Sequence, residues 1–361
     1  MMVQSTPTPL LAFCQQGSVF LFGVVHDVAE YTKPHLTHKQ QLAQLVGRGL
    51  VCADESAAID LLKTVGYYRL SAYIYPFREF MPSGPSQGGA AGQYRSDRVR
   101  DGITFDHIEA LWRFDRKLRL LCLDAIETVE IGLRSRLAYV LGLRDPLGHV
   151  HRESLDASAC SQPTGRGTQS TNHDAFDQWL VKYSELEYEA RTEDYVVHHK
   201  RKYGGHMPVW IAVEFFNFGA LSRLFALLNK QDQNTIAKDV GISGGPLLAA
   251  WLRDVNYIRN LCAHHSRFWN RQPTYKPAKF NPTQVSSELV HAARMEPRNK
   301  IYVHLAILGY LVRSLDPRQN WPLTLRTLIK KFPAVPGLSP EGDMGFPTEW
   351  ADLPLWTMKA T

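Results

Sequence analysis

Much about this 361-residue chain follows from what it lacks. Its five cysteines (Cys14, Cys52, Cys122, Cys160 and Cys262) are odd in number, widely spaced and form no CxxC. That argues against a disulfide framework and against a cysteine-type zinc site. The longest apolar run near the N-terminus, 19–25, is too short to cross a bilayer. No basic residue precedes it and no small-residue cleavage pattern follows it, so a cytoplasmic protein without a membrane partner is expected. Convincing strands and internal repeats are missing too. At 44% hydrophobic and 21% charged residues, the chain has the composition of a folded globular protein.

Helical periodicity is what remains. Thr37 is a candidate cap for a helix over 39–47, and Asp54 or Ser56 for one over 57–65. GYYRLSAYIYPFR follows at 66–78. Its tyrosines and Arg69 could stack on bases and hold phosphates, but the segment is apolar enough that most should form a buried joint between helical layers. A long helix covers about 105–141, where Leu111, Phe114, Leu118, Leu121, Ala125, Val129, Leu133 and Leu137 recur at spacings of three and four. Further helices are expected over 175–202, from Pro208 to Lys230, over 300–315 and over 323–331. Trp210, Val213, Phe216, Leu221 and Leu224 form a core stripe. Gly, Ser and Pro mark loops at 82–102 and 144–173. The expected fold is therefore all-α. A poorly ordered extension (1–30) precedes a helical region (31–80) and a bundle (105–315) with its two insert loops. Residues 316–361 give a short helix and a tail lying extended on the surface.

The stretch WLRDVNYIRNLCAHHSRFWNR, 251–271, carries the chemistry. As one helix at about 100° per residue, it puts Leu247, Trp251, Val255, Ile258 and Cys262 on one stripe. Asn256, Asn260, His264, Arg267 and Arg271 fall opposite, with Arg259 on the boundary and His265 turned inward as a structural residue. Ser243 and Pro246 would start this helix. Between 253 and 279, six Lys/Arg stand against Asp254 alone; between 294 and 331, eight stand against Glu296 and Asp316. A polyanion partner or a merely solvated basic surface explains this charge equally well. The pairs His149/His151 and His198/His199 lack carboxylate or cysteine ligands at metal spacing. No metal and no cofactor are expected, and these histidines read as solvated or close to RNA.

Asn260 and His264 are one turn apart, so the amide can hydrogen-bond the imidazole and bias its tautomer. Arg259 can sweep toward the same region and offer a planar fork to a phosphate. Metal-free cleavage of RNA needs a base for the 2′-hydroxyl, a cation for the phosphoryl oxygens and an acid for the leaving 5′-oxygen. One imidazole is poorly placed to be base and acid together. Two copies facing across a two-fold axis would supply both, which demands a homodimer with a composite site.

Arg259-Asn260-Leu261-Cys262-Ala263-His264 resembles the R-(polar)-x3-H signature of HEPN ribonucleases. The wider chain resembles the Abi-like (abortive infection) bacterial family within that group. The pieces that carry the likeness are YTKPHLT (31–37), GYYRLSAYIYPF (66–77), FDRKLRLLCLDAIETVEIGLRSRLAYVLG (114–142), MPVWIAVEFFNFGALSRLF (207–225), RNLCAHHSRFWNR (259–271) and MGFPTEW (344–350). The first 30 residues and the loops at 82–102 and 144–173 depart from the family pattern. The resemblance implies a HEPN-like bundle acting as a metal-independent endoribonuclease, an abortive-infection effector or toxin of phage defence. It implies catalytic roles for Arg259 and His264, with Asn260 the polar position between them, and dimerisation through the motif helices. It also suggests a neutralising partner such as a small structured RNA, although a closed dimer could restrain such an enzyme equally well. Glu130 and Asn256 are candidates for supporting roles, Glu130 by orienting Arg259, although an ion pair with Arg134 four residues on is the plainer reading. Arg267, Arg271 and Arg69 are candidates for RNA contact. The alternative is a non-catalytic RNA-binding or adaptor module using the same helix face. A DNA-binding regulator through 39–78 is weaker, because no basic recognition helix is evident there.

Overall fold

Three short helices lead into one very long one. In the computed structural model, which describes residues 32–80, 95–163 and 174–359, α1 (His38–Gly47), α2 (Glu55–Val65) and α3 (Tyr67–Ile74) open the compact unit that begins at His38. The expected extension 1–30 and most of the 82–102 loop lie outside the described residues. Residues 32–37 belong to a separate unit, 1–37, and carry no regular structure. Asp54 caps α2 by accepting the Ala57 amide at 2.9 Å. Gly66, at φ +89°, then turns the chain directly into α3, a backbone angle that glycine takes without strain.

The expectation of no strands is corrected by a small antiparallel pair, β1 (Arg78–Phe80) and β2 (Arg95–Val99). At three and five residues these are too short to register a period of two. After them Thr104 starts α4 (Phe105–Arg144) with a reciprocal capping box. Its hydroxyl accepts the His107 amide while its own amide donates to His107 Nδ1, both at 3.2 Å. The 40 residues make a helix about 60 Å long, and its buried stripe runs from Leu111 to Leu141 much as the spacing predicts.

Beyond α4 come α5 (Ala157–Cys160), α6 (Ala175–Glu189), α7 (Asp194–Tyr203), α8 (Val209–Ala212), α9 (Phe218–Leu227), α10 (Lys230–Asp239) and α11 (Gly245–Ala263). They are followed by α12 (Val290–Ala293), α13 (Tyr302–Leu315), α14 (Trp321–Lys330) and α15 (Pro354–Thr357). The class is all-α. Two of the expected helices are divided. The 175–202 segment divides between α6 and α7. The helix expected from Pro208 to Lys230 stops at Ala212 and restarts where Asn217 Oδ1 accepts the Ala220 amide at 3.0 Å. Asn229 repeats the device on Asp232, at 2.9 Å, to begin α10. An asparagine at a helix start satisfies a donor that the helix cannot, and here it overrides a continuous apolar stripe.

α13 is buried on every side from Tyr302 to Arg313 and packs with both α4 and α11. A helix that is apolar all round belongs in the centre of a core. The tail does not lie extended on the surface as expected. Phe346, Trp350 and Trp356 are buried, and Phe346 packs edge-on against Tyr302 with ring centroids 4.7 Å apart. Arg313 of α13 holds the tail by donating to the Met358 carbonyl at 3.0 Å.

Candidate active site

α11 brings the motif to the surface at its C-terminal end. Trp251, Val255, Ile258 and Cys262 are buried on the expected stripe. Asp254, also buried, pairs with His304 of α13 at 2.7 Å and fastens the middle of the helix to the central one. Cys262 meets Cys122 of α4; burial, and then contact with Cys262, push the Cys122 thiol well above its ordinary value. It is therefore packing, with no thiolate available at neutral pH. At the start of α11, Gly244 occupies the cap position expected for Ser243, and Asn234 Oδ1 accepts the Gly245 amide at 2.8 Å.

The helix expected to reach Arg271 stops at Ala263. His264 is its last half-helical residue and His265 takes a left-handed φ of 55°. The His265 amide donates to the Cys262 carbonyl at 3.1 Å, and the Ser266 amide to the Leu261 carbonyl at 3.0 Å. This is a Schellman termination with histidine in the position usually held by glycine. The expectation that His265 faces inward is thus corrected: it is exposed beyond the helix end. Its backbone angle costs roughly 1 kcal/mol, so something else must hold the turn.

That something is Asp115 of α4, fully buried, with Tyr73 and Arg119 beside it. Its carboxylate accepts the Trp269 amide at 2.7 Å, the Phe268 amide at 3.1 Å and the Tyr73 hydroxyl at 2.7 Å, and pairs with Arg119. Burial pushes the Asp115 carboxyl up from its ordinary value, while Arg119, Tyr73 and the two amides oppose that shift. Arg119 also reaches the Ser266 carbonyl at 3.4 Å. Phe268 and Trp269 beyond are fully buried, anchoring the loop by their rings as well as their amides. Sequence reasoning missed this clasp. Its signal was a charged pair four residues apart, Asp115 and Arg119, set into an otherwise apolar stripe of α4.

Of the candidate site residues, Arg259, Asn260 and His264 are gathered at the end of α11. Arg259 is half-buried, and Asn260 and His264 are exposed. Asn260 Oδ1 accepts from Arg259 at 3.4 Å, so the amide engages the guanidinium and not the imidazole as expected. Glu130 pairs with Arg134 at 2.6 Å, and Arg134 donates to the Phe216 carbonyl at 2.8 Å. The plainer reading of Glu130 therefore holds. Asn256 faces the first turn of α9: a methyl built on Gly219 would stand 3.6 Å from its side-chain oxygen.

The three arginines proposed for RNA contact are largely engaged within the chain. Arg267 is buried enough to lower its pKa and donates to the Ala72 carbonyl, tying the loop to α3. Arg69 donates to the His265 carbonyl at 2.6 Å and remains exposed. Arg271 turns to Tyr257: burial raises that phenol, but the Thr274 amide and then Arg271 outweigh it and hold it below its ordinary value. Since 264–271 is not helical, Arg267 and Arg271 do not extend the polar face of α11.

Other expectations change as well. His149 is fully buried against Tyr183, ring centroids 5.2 Å apart, with neither ring nitrogen hydrogen-bonded, so it is not a solvated residue. Desolvation lowers its pKa to about 4. Two arginines of the 294–331 window, Arg298 and Arg313, are buried and donate to carbonyls, which removes them from any basic surface. Trp210, expected in the core, is half exposed beside Ile131, Tyr139 and Leu143, in a groove of about 540 Å³ that no motif residue lines. Among the described residues no group of three or more His, Cys, Asp or Glu could hold a metal, and no helix is long and apolar enough to cross a membrane.

An all-α bundle that presents a clasped Arg-Asn-His helix end is the structural class. Within it, a family model described as Abi-like protein matches residues 60–270. The chain belongs to this Abi-like family, and that membership points to an abortive-infection-related function. No curated protein and no solved structure matches significantly.

Proposed function

We propose that this protein is a metal-independent endoribonuclease of the HEPN type, serving as an abortive-infection effector or toxin. The observation that carries the reading is the collection of Arg259, Asn260 and His264 at one solvent-facing helix end, held by a buried clasp. A rigid support beneath an exposed polar set is what positioned catalysis requires. In the proposed reaction the RNA 2′-hydroxyl loses its proton to one imidazole and attacks the neighbouring phosphorus. The P–O5′ bond breaks, a second imidazolium protonates the leaving oxygen, and the products carry a 2′,3′-cyclic phosphate and a 5′-hydroxyl. Arg259 stabilises the charge on the phosphoryl oxygens. The two imidazoles are His264 of two chains in a homodimer, which makes each chain half of a site. A neutralising partner, such as a small structured RNA, would restrain the enzyme before infection.

The test is cleavage of single-stranded RNA in EDTA by the wild type and by His264→Ala, with analysis of the product ends. Metal-independent cleavage giving those ends, abolished in a folded His264→Ala chain, is expected. A requirement for divalent metal, or survival of activity in the variant, would refute the mechanism. One observation favours the alternative of a non-catalytic RNA-binding module. Among the described residues, no partner within the chain hydrogen-bonds the His264 imidazole to orient it. Expression in bacteria separates the two: growth arrest by the wild type but not by His264→Ala supports catalysis, and equal effects support the binder.

A further inference from the structure

The tyrosines of α3 sort into distinct environments. Tyr73 is buried on Asp115, and Tyr67 accepts a hydrogen bond from Arg48 at 2.9 Å. Beyond the helix, Tyr75 lies beneath Arg95 and Arg78, at 5.7 and 5.9 Å from its ring centre. Tyr68 is 89% exposed, more than any other large hydrophobic residue described. An exposed apolar side chain alone means little. What singles out Tyr68 is where its neighbours go. Arg69, the next residue, donates to the His265 carbonyl at 2.6 Å. Ala72, one turn on and on the same face, accepts from Arg267. Both neighbours are thereby pinned to the loop that begins at His264, which places Tyr68 on a rigid helix at the border of the motif's exposed surface. No carboxylate occurs from Val255 to Arg271, so nothing on that segment repels a nucleic-acid backbone.

We propose that Tyr68 is a nucleobase-stacking platform, taking the face of an RNA base next to the scissile phosphate. The inference rests on the ribonuclease reading above and deepens it by naming the side chain that would hold an unpaired base of the single-stranded substrate. Attack by a 2′-hydroxyl requires the sugar–phosphate backbone to leave its helical geometry, so that oxygen, phosphorus and leaving group come into line. Bases flanking that linkage are unstacked from one another, and an aromatic ring held on a helix replaces the lost stack. A ring face carries no donor–acceptor pattern, so Tyr68 selects for unpaired bases and against duplex, with little preference among sequences.

The experiment uses the full chain carrying His264→Ala, which binds without cutting, and a short single-stranded oligoribonucleotide with one 2-aminopurine. Stacking on tyrosine quenches that base's fluorescence. Adding Tyr68→Ala should weaken binding about tenfold and abolish the quench, while Tyr68→Phe keeps both. In the cleaving chain, Tyr68→Ala should raise KM by a similar factor. Unchanged affinity and quench in Tyr68→Ala, or an equal loss in Tyr68→Phe, overturns the platform while metal-free cleavage by the wild type leaves the ribonuclease reading standing. A wild type that neither cuts nor binds the oligonucleotide overturns both.

Discussion

Replacing Asp115 by alanine should be among the most damaging single changes in this protein, and its cost can be worked from the contacts. The substitution leaves the Arg119 guanidinium, only 6% exposed, without its counter-charge. It also strips the acceptor from the Phe268 and Trp269 amides and from the Tyr73 hydroxyl. Breaking one side of a buried ion pair costs about 3–5 kcal/mol, and each orphaned buried donor about 1–3 kcal/mol. These do not add in full, because a released loop can turn its amides to water. A net loss of about 4–5 kcal/mol is the expectation, a large share of the 5–15 kcal/mol typical of a folded domain. Asp115→Asn keeps one carbonyl for the amides but sets new N–H groups against Arg119 and Tyr73, so about half that loss is expected. Urea unfolding measures both, provided the slope with denaturant is unchanged. Hydrogen exchange at Phe268 and Trp269 should accelerate in Asp115→Asn before global unfolding does. A loss below about 1 kcal/mol in Asp115→Ala, with the two amides still protected, would refute the clasp.

Two further changes test the surroundings. His265→Gly relieves the left-handed angle at an exposed position and should stabilise the protein by about 0.5–1 kcal/mol in thermal or urea unfolding; a loss would mean that the imidazole itself supports the turn. His149 makes stability depend on pH. Its pKa is about 4 in the folded chain against 6.5 for an ordinary imidazole, so between those values the unfolded chain binds the proton and the folded chain does not. Stability is full above about pH 6.5 and is lost as pH falls toward 4, by about 3 kcal/mol from this residue. His291 is lowered to about 4 by burial and acts in the same direction. In His149→Leu the drop between pH 6.5 and 4 should shrink by about that amount; an unchanged pH profile would show that His149 does not titrate this way.

The elements legible in the sequence were those whose apolar periodicity ran long and uninterrupted. α4 was read nearly end to end because its stripe holds phase over many turns. The inner face of α11 was legible because Trp251, Val255, Ile258 and Cys262 recur every three or four residues and all are buried. Breaks governed by a single side chain were harder. Asn217 restarts a helix inside an apolar stretch and Asn229 starts the polar α10 just beyond it, and the cap residue is common enough elsewhere that its presence alone decides little. The buried tail was invisible for another reason: Phe346, Trp350 and Trp356 have no periodicity, and their partners are distant or within the tail itself, Phe346 and Trp356 meeting Tyr302 of α13 while Trp350 packs between the two.

By itself the sequence determined the helical class, the family likeness and the set Arg259, Asn260 and His264, since these depend on spacing along the chain. Tertiary structure decided where α11 ends and therefore which arginines share its face. A regular helix would have carried Arg267 and Arg271 beside His264. The Asp115 carboxylate, more than a hundred residues earlier in the chain, instead draws the amides after Ser266 into the core and turns both side chains toward α3 and Tyr257. No local propensity contains that information, because a left-handed histidine is unfavourable alone and persists only where a distant buried acceptor outweighs its strain.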